Sequence, residues 1–329
     1  MNLLFRDIHG ARIGPRGSVA CIGAFDGLHL GHRALVRQAV ARARELDAEA
    51  VAVSFEPLPR EFFARDDKPP RLMLPRAKVE GLRDLGVDAV GLLRFDAKLA
   101  AMPAEEFVRE LLVGRLGVRE VWVGPGFRFG HGRAGDLALL QKMGAGNGYV
   151  ANEIAPVSLD GERVSSTRIR AALAAGDFDL AARLLGRRYA IGGHVVRGKQ
   201  LGRTLGYPTA NLRFDGKTPA LRGIYATLVH GVGSITGDSR PWPSVSSFGT
   251  RPTVDGVEPL LEAHLFDFDG DLYGRRIEVE FVAKLRDEEK FPDLPSLVTQ
   301  MHRDGDQARE ILVGAASAAT AVHVESCRA

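Results

Sequence analysis

The chain has 329 residues, 45% hydrophobic and 26% charged, with 44 Lys and Arg against 41 Asp and Glu, a formal charge of +3. That composition belongs to a soluble globular protein long enough for two domains, and it excludes a wholly disordered chain. So slight a positive excess gives no reason to expect nucleic acid as a partner, and two cysteines at opposite ends, Cys21 and Cys327, exclude a disulfide or zinc framework.

The opening residues MNLLFRDIHGARIG lack the apolar centre of a signal peptide, and no eighteen apolar residues run together, so no membrane partner and a cytoplasmic location are expected. SVACIGAF, from Ser18, reads as a buried strand. GHRALVRQAVARARELD then places Leu35, Ala39, Ala43 and Leu46 on one helical face, giving a strand, a tight turn and an amphipathic helix. The alternation continues with AVAVSF from Ala50, a helix near Pro75 to Leu85, an apolar stretch near Val87 to Leu93, a helix after Pro103 and EVWVG from Glu120. Repeated strands and helices predict an α/β domain with a helix-covered parallel sheet. Helical text runs from Ser165 to about Leu185, broken and recapped at Gly176 and Asp177.

After Gly186, Gly and Pro become frequent and short alternating segments appear, including YATLVHGV from Tyr225, PLLEAHLF from Pro259 and RIEVEFVAKL from Arg276. They predict a mostly antiparallel, barrel-like β domain, closed by a helix near Leu294 to Leu312. The small, polar stretch AASAATAVHVESCRA is expected to be a mobile tail.

Chemistry concentrates first in GAFDGLHLGH, Gly23 to His32, which ends a strand and opens a helix. That is the carboxyl edge of an open α/β sheet, where ligands bind. Gly23, Gly27 and Gly31 let the backbone approach a phosphate, and the helix start offers free N–H groups. His29 and His32 can face one anion there, suiting the charge that builds when a nucleophile attacks the α-phosphorus of a nucleotide. The same text also reads as a Gly-rich turn with incidental histidines.

GAFDGLHLGH resembles the HxGH signature of nucleotidyltransferases, and in its GxFDGxHxGH form it resembles the bacterial bifunctional FAD synthetases. VSSTRIR, Val164 to Arg170, matches a second motif of that family. Taken alone, its Ser-Ser-Thr before a helix is an N-cap. The resemblance implies a Rossmann-like nucleotidyltransferase domain with helices on both faces of a parallel sheet, over residues 1–186. In it, FMN attacks the α-phosphorus of ATP, giving FAD and pyrophosphate. It makes His29 and His32 catalytic and places Gly23, Phe25, Asp26, Gly31, Ser165, Ser166, Thr167 and Arg170 around ATP. SFEPLPREFF from Ser54 and VGPGFRFGHGRAGD from Val123 match flavin- and nucleotide-side segments of the family, implicating Phe62 and Phe127 in flavin binding. Phe62 and Phe63 read equally well as core aromatics at a helix start. Leu58 stands where the family commonly has His, and Gly126 where it has Asp or Asn.

The second concentration is GHVVRGKQLGRTLGYPTAN, Gly193 to Asn211, neither a Walker A loop nor a dinucleotide fingerprint. Its glycines and basic residues can wrap phosphates, although a Gly-rich hairpin is the default reading of the composition. GRTLGYPTAN, however, resembles the GRxLGxPTAN signature of the riboflavin kinases within the same family. That implies an antiparallel β-barrel kinase domain over 187–315, converting riboflavin to FMN, with 316–329 as the tail. Gly198, Lys199, Gly202, Arg203 and Gly206 would bind ATP, and Thr209 and Asn211 would hold Mg2+. Both offer the hard oxygens magnesium prefers.

Period two along LLEAHLF sets Leu261, Ala263 and Leu265 on one face and Glu262 and His264 on the other. That is a solvated face by pattern. By resemblance, Glu262 is the base for the riboflavin hydroxyl. Arg286 and Phe291, in KLRDEEKFPDLPSL, would lie near the flavin ring. ATP is the implied co-substrate of both steps and FMN and FAD the products, with riboflavin, FMN and ATP as partners. The alternatives are a monofunctional kinase whose first domain has lost adenylyl transfer and a flavin-binding module without turnover.

Overall fold

The computed structural model describes residues 3–64, 68–198, 201–214, 217, 219–238, 240–253 and 256–326. By contacts the chain divides into two compact units, Met1–Pro69 with Pro75–Ser166, and Pro70–Leu74 with Thr167–Ala329. The sequence expects a boundary at Gly186, whereas packing divides the chain after Ser166. The reason lies in helix Phe178–Leu185, whose Phe178 ring meets Tyr225 edge-on at 5.8 Å and stacks with Phe281 at 6.3 Å.

The first unit holds a six-stranded parallel sheet in the order β1-β4-β3-β2-β5-β6. Its strands are β1 (Leu3–Phe5), β2 (Ser18–Ile22), β3 (Glu49–Glu56), β4 (Ala89–Arg94), β5 (Val118–Val123) and β6 (Val150–Glu153). Four correspond to the predicted strands. The edge strands β1 and β6 escaped prediction, since three or four residues beside polar neighbours carry no readable period. All of β2 and five residues of β4 are buried, as strands covered on both faces must be. Helix α1 (Leu30–Glu45) buries Leu35, Ala39 and Ala43 as predicted and Val36 in addition, whereas Leu46, expected on the same face, becomes its C-cap. Helices α2 (Pro59–Phe63) and α3 (Pro75–Asp84) follow β3. A small antiparallel pair, β7 (Ser158–Leu159) and β8 (Glu162–Arg163), precedes helix Ser166–Ala175. Between that helix and the next, Gly176 takes φ 76° and Asp177 caps Leu180 N–H at 2.9 Å, as the text predicted.

Gly91, inside β4, has no side chain because the Phe5 ring of β1 fills its place; a Cβ there would lie 2.5 Å from Phe5 Cζ. Gly91→Ala is therefore expected to lower stability by about 1–3 kcal/mol through overpacking. Urea unfolding checks this, and the additional change Phe5→Leu should recover part of the loss.

In the second unit, β9 (Ala190–Val196), β10 (Ala210–Arg213), β11 (Gly223–His230), β12 (Trp242–Thr253), β13 (Gly256–Leu265) and β14 (Arg276–Arg286) close into an antiparallel barrel, ordered β10-β13-β12-β11-β14-β9. The closing helix begins at Leu294 but runs to Ser326, past the expected end at Leu312. Alanine, the strongest helix former, recurs through the stretch read as a tail, so the helix continues through it. Residues 327–329 of that stretch lie outside the described residues.

Candidate active sites

In the sheet, β2 has β3 on one side and β5 on the other, so the chain reverses its direction of winding there. At such a switch point the loops leaving the carboxyl ends separate and open a crevice. A cavity of about 190 Å³ fills it, lined by Gly23 after β2 and Gly124 after β5, together with His29, His32, Arg163 and Ser165. His29 is the N-cap of α1, its Nδ1 accepting the His32 N–H at 3.2 Å. The two imidazoles stack, centroids 3.7 Å apart and planes 16° off parallel. Gly31 makes room for this arrangement, since a Cβ there would lie 3.2 Å from His29 Cε1. Phe25 is fully buried, its ring folded against Gly23 and edge-on to His32 at 5.4 Å.

Loss of hydration lowers the His29 pKa from 6.5 to about 4, with the nearby Arg163 charge adding to the effect. His32 is held well below its ordinary value, first by burial, then by His29, Lys78 and Arg163. Both imidazoles are neutral at pH 7. Since His29 Nδ1 is an acceptor, its proton sits on Nε2, a donor available to a phosphate oxygen. Nδ1 of His32 is buried and makes no hydrogen bond.

The remaining predicted residues scatter. Ser165 lines the cavity, Ser166 Oγ donates to the Asp26 carbonyl at 2.9 Å, and Asp26 is itself buried. Thr167 and Arg170 belong to the second compact unit, where Arg170 Nε donates to the Pro70 carbonyl at 2.5 Å. Phe127 lines the cavity and stacks on Phe129; Phe62 does not line it and stands in an exposed aromatic group with Phe63 and Phe95. At Gly126 a side chain would enter open space, and the backbone N–H donates to Glu153 at 3.1 Å. Arg163 escaped the sequence reading although it directly precedes VSST.

Two sizeable cavities are lined by described residues of the barrel. One, of about 750 Å³, is lined by Arg197, Arg203, Thr209, Asn211, Asp271 and Tyr273 among others. The other, of about 400 Å³, contains Gly202, Thr209, Glu262, Arg286, Phe291 and Asp304. Thr209 lines both, and its Oγ1 donates to Glu262 Oε1 at 3.4 Å. Asn211 is paired with Glu262 across β10 and β13, which puts their side chains on one face. Leu261, Ala263 and Leu265 are buried while Glu262 and His264 are half-exposed, as the alternation predicted.

Asn211 Oδ1 is buried and accepts no hydrogen bond, an orphan oxygen of the kind a hard cation satisfies. Gly198 packs against this amide, and a Cβ there would come within 2.9 Å of Oδ1. Gly202 has a comparable reason, since a Cβ would strike the Tyr207 carbonyl, and Gly206 sits at φ 80°. Lys199 lies outside the described residues. In the second cavity Arg286 forks onto Asp304, Nε to Oδ1 at 2.9 Å and Nη2 to Oδ2 at 2.7 Å, with Phe291 5.6 Å from its guanidinium. Tyr207, in the GRTLGYPTAN loop, shares a 2.6 Å hydrogen bond with His302 of the closing helix.

A crevice at a sheet switch point lined by two histidines and an arginine, and a barrel whose two cavities share a threonine, fit a transferase with two nucleotide-dependent sites. The FAD synthetase family matches residues 12–168 and the riboflavin kinase family residues 185–312. A bifunctional riboflavin kinase/FMN adenylyltransferase of Pseudomonas fluorescens is 45% identical over 309 residues, 94% of this chain and 97% of its own length. The enzyme of the same description from Escherichia coli (strain K12) is 44% identical, covering 93% and 97%. A crystal structure described as a macrolide-efflux protein from Streptococcus pneumoniae is 28% identical with a TM-score of 0.75, over 94% of this chain and 98% of that one. The chain belongs to the family of bifunctional riboflavin kinase/FMN adenylyltransferases.

Proposed function

We propose that the barrel phosphorylates riboflavin with Glu262 as base and that the sheet domain adenylylates the resulting FMN with His29 and His32 as hydrogen-bond donors to the phosphates, ATP serving both steps. The observation that carries the kinase assignment is the position of Thr209. A phosphoryl group passing from a nucleotide in the larger cavity to an alcohol in the smaller one crosses between them beside Thr209, Asn211 and Glu262. There Glu262 accepts the proton of the 5′-hydroxyl as its oxygen bonds the γ-phosphorus and the bond to the β-phosphate oxygen breaks, releasing ADP.

Asn211 Oδ1 and Thr209 Oγ1 would hold Mg2+, which neutralises nucleotide phosphate charge when bound. In the sheet domain the nucleophile is already an anionic phosphate. It bonds the α-phosphorus, pyrophosphate leaves, and the chain supplies alignment and hydrogen-bond donors in place of a base. Gly23 and Gly31 shape that crevice, Ser165 lines it, and Arg163 adds a cation that the sequence reading omitted.

In domain terms the reading assigns residues 1–186 to adenylyl transfer and 187–315 to the kinase, consistent with family matches that end at 168 and resume at 185. It also places the chain in the cytoplasm, where ATP is supplied; no helix among the described residues is long and apolar enough to cross a membrane. The test is incubation with riboflavin, ATP and Mg2+, followed by chromatographic separation of the flavins. FMN appearing first and FAD second is expected, and FMN alone would restore the monofunctional alternative.

Within the flavin cavity, Asp304 aims Arg286. Asp304→Asn keeps one acceptor and removes the charged fork, so the riboflavin KM is expected to rise by roughly tenfold, the weight of about 1.4 kcal/mol. FAD formation from supplied FMN should be unchanged in the same preparation.

A further inference from the structure

Packed against the Gly23–His32 loop is a charge to which the sites described above give no role. Lys78, in the first turns of α3, is fully buried. Its Nζ donates to Ser54 Oγ at 3.2 Å, and Ser54 Oγ, on β3 and equally buried, donates to the Ala24 carbonyl at 3.0 Å, inside the loop. Three residues further along α3, Gly81 leaves room for Leu28 of the same loop; a Cβ there would lie 2.6 Å from Leu28 Cδ1. One helix therefore grips the loop at two points.

The loop needs such a grip. Phe25 and Leu28 both occupy the left-handed region, at φ 48° and 45°, where bulky side chains are disfavoured. Conformations of that kind persist only where the surroundings over-determine them. An ammonium is a costly way to fill core space, since a methionine of similar length needs no polar partners. Keeping it points to a use for its charge.

We propose that Lys78 is a positioning residue for adenylyl transfer, fixing the His29–His32 loop through Ser54 and supplying a buried positive charge beneath the phosphate site. This rests on the reading of the sheet crevice as the adenylyl-transfer site. The charge reaches the site: the groups acting on the His32 imidazole are His29 of its own loop, Lys78 of α3 and Arg163 of β8, and each opposes protonation. Lys78 thus helps keep His32 neutral and also favours an arriving anion.

Lys78→Met preserves length and removes charge. FAD formation from FMN and ATP is expected to slow roughly 10- to 100-fold through misplacement of the loop. The acid limb of its pH–rate profile should move to higher pH, because His32 takes up a proton more readily once a neighbouring cation is gone. Ser54→Ala breaks the bridge but keeps the charge, so it should slow the same step without moving the limb. Riboflavin phosphorylation, measured alongside, should be unaffected in both.

An unmoved limb in a folded Lys78→Met variant would overturn the electrostatic half of the proposal, and an unchanged rate in Ser54→Ala the positioning half. Should Lys78→Met fail to fold, Lys78→Gln takes its place in the pH comparison, and an unmoved limb there has the same force. Failure of the unsubstituted protein to make FAD would instead remove the reading on which the proposal rests.

Discussion

Glu262→Gln is expected to lower FMN formation by about 10²- to 10⁴-fold, the usual weight of a positioned general base, while FAD formation from supplied FMN continues. The substitution is close to isosteric. The new amide retains an oxygen that can accept from Thr209 Oγ1, now 3.4 Å from the carboxylate, so Thr209, at the entry to β10, is not released. What disappears is the capacity to take the proton of an alcohol, a poor nucleophile until it loses that proton. The expected loss is therefore in kcat, with the riboflavin KM little changed, because the proposed role of Glu262 is on the reacting oxygen, whereas Arg286 and Phe291 are proposed to meet the flavin ring. Initial rates of flavin interconversion, resolved chromatographically, check this. A kinase rate within a few-fold of the unsubstituted protein would remove Glu262 from the role of base.

Asn211 shows why this site was readable. Its neighbours in the chain form a contiguous signature, and its partner on the adjacent strand lies in a second short segment of period-two alternation, so two local patterns meet at one register position. The Gly23–His32 loop was readable for a similar reason: strand, glycines, histidines and helix follow one another without interruption. Other parts of both sites are assembled from distant positions. Lys78 reaches the first loop through a serine 24 residues earlier, and Asp304 reaches Arg286 from 18 residues later on another element.

Nothing in α3 or in the closing helix marks those residues, because a lysine or aspartate at helical spacing is ordinarily a solvated face. Thr209 was named as a metal ligand, yet its place between two cavities depends on barrel closure and could not be read from GRTLGYPTAN. The edge strand β1 illustrates the same limit in the fold. Beside the short backbone ladder with β4, one ring, Phe5, fills the space over Gly91, a contact between residues 86 positions apart.

The second large effect is expected at the histidine pair, where His32→Ala should lower FAD formation by about 10²- to 10³-fold, as removal of one preorganised donor to a developing charge does elsewhere. Riboflavin phosphorylation, carried by residues of the barrel, serves as the internal control. His29 requires a different substitution, because it also caps α1 through the His32 N–H. His29→Asn retains a good N-cap and removes the imidazole, so a loss of FAD formation without loss of stability at pH 7 separates the two roles.

The pH dependence tests the neutral state directly. Folded His29 titrates at about 4 and the unfolded side chain near 6.5, so between those values the unfolded chain binds a proton that the folded chain refuses. The His29 contribution to stability is intact above 6.5 and is lost progressively as the pH falls towards 4. His29→Asn should therefore show a flatter decline of unfolding free energy across that window than the unsubstituted protein. Because a polyphosphate favours the protonated imidazole, nucleotide binding should draw in protons as it raises the histidine pKa. Calorimetry of ATP binding in buffers of different ionisation enthalpy measures that uptake, and a proton count indistinguishable between the unsubstituted protein and His29→Asn would show that this histidine does not meet the phosphates.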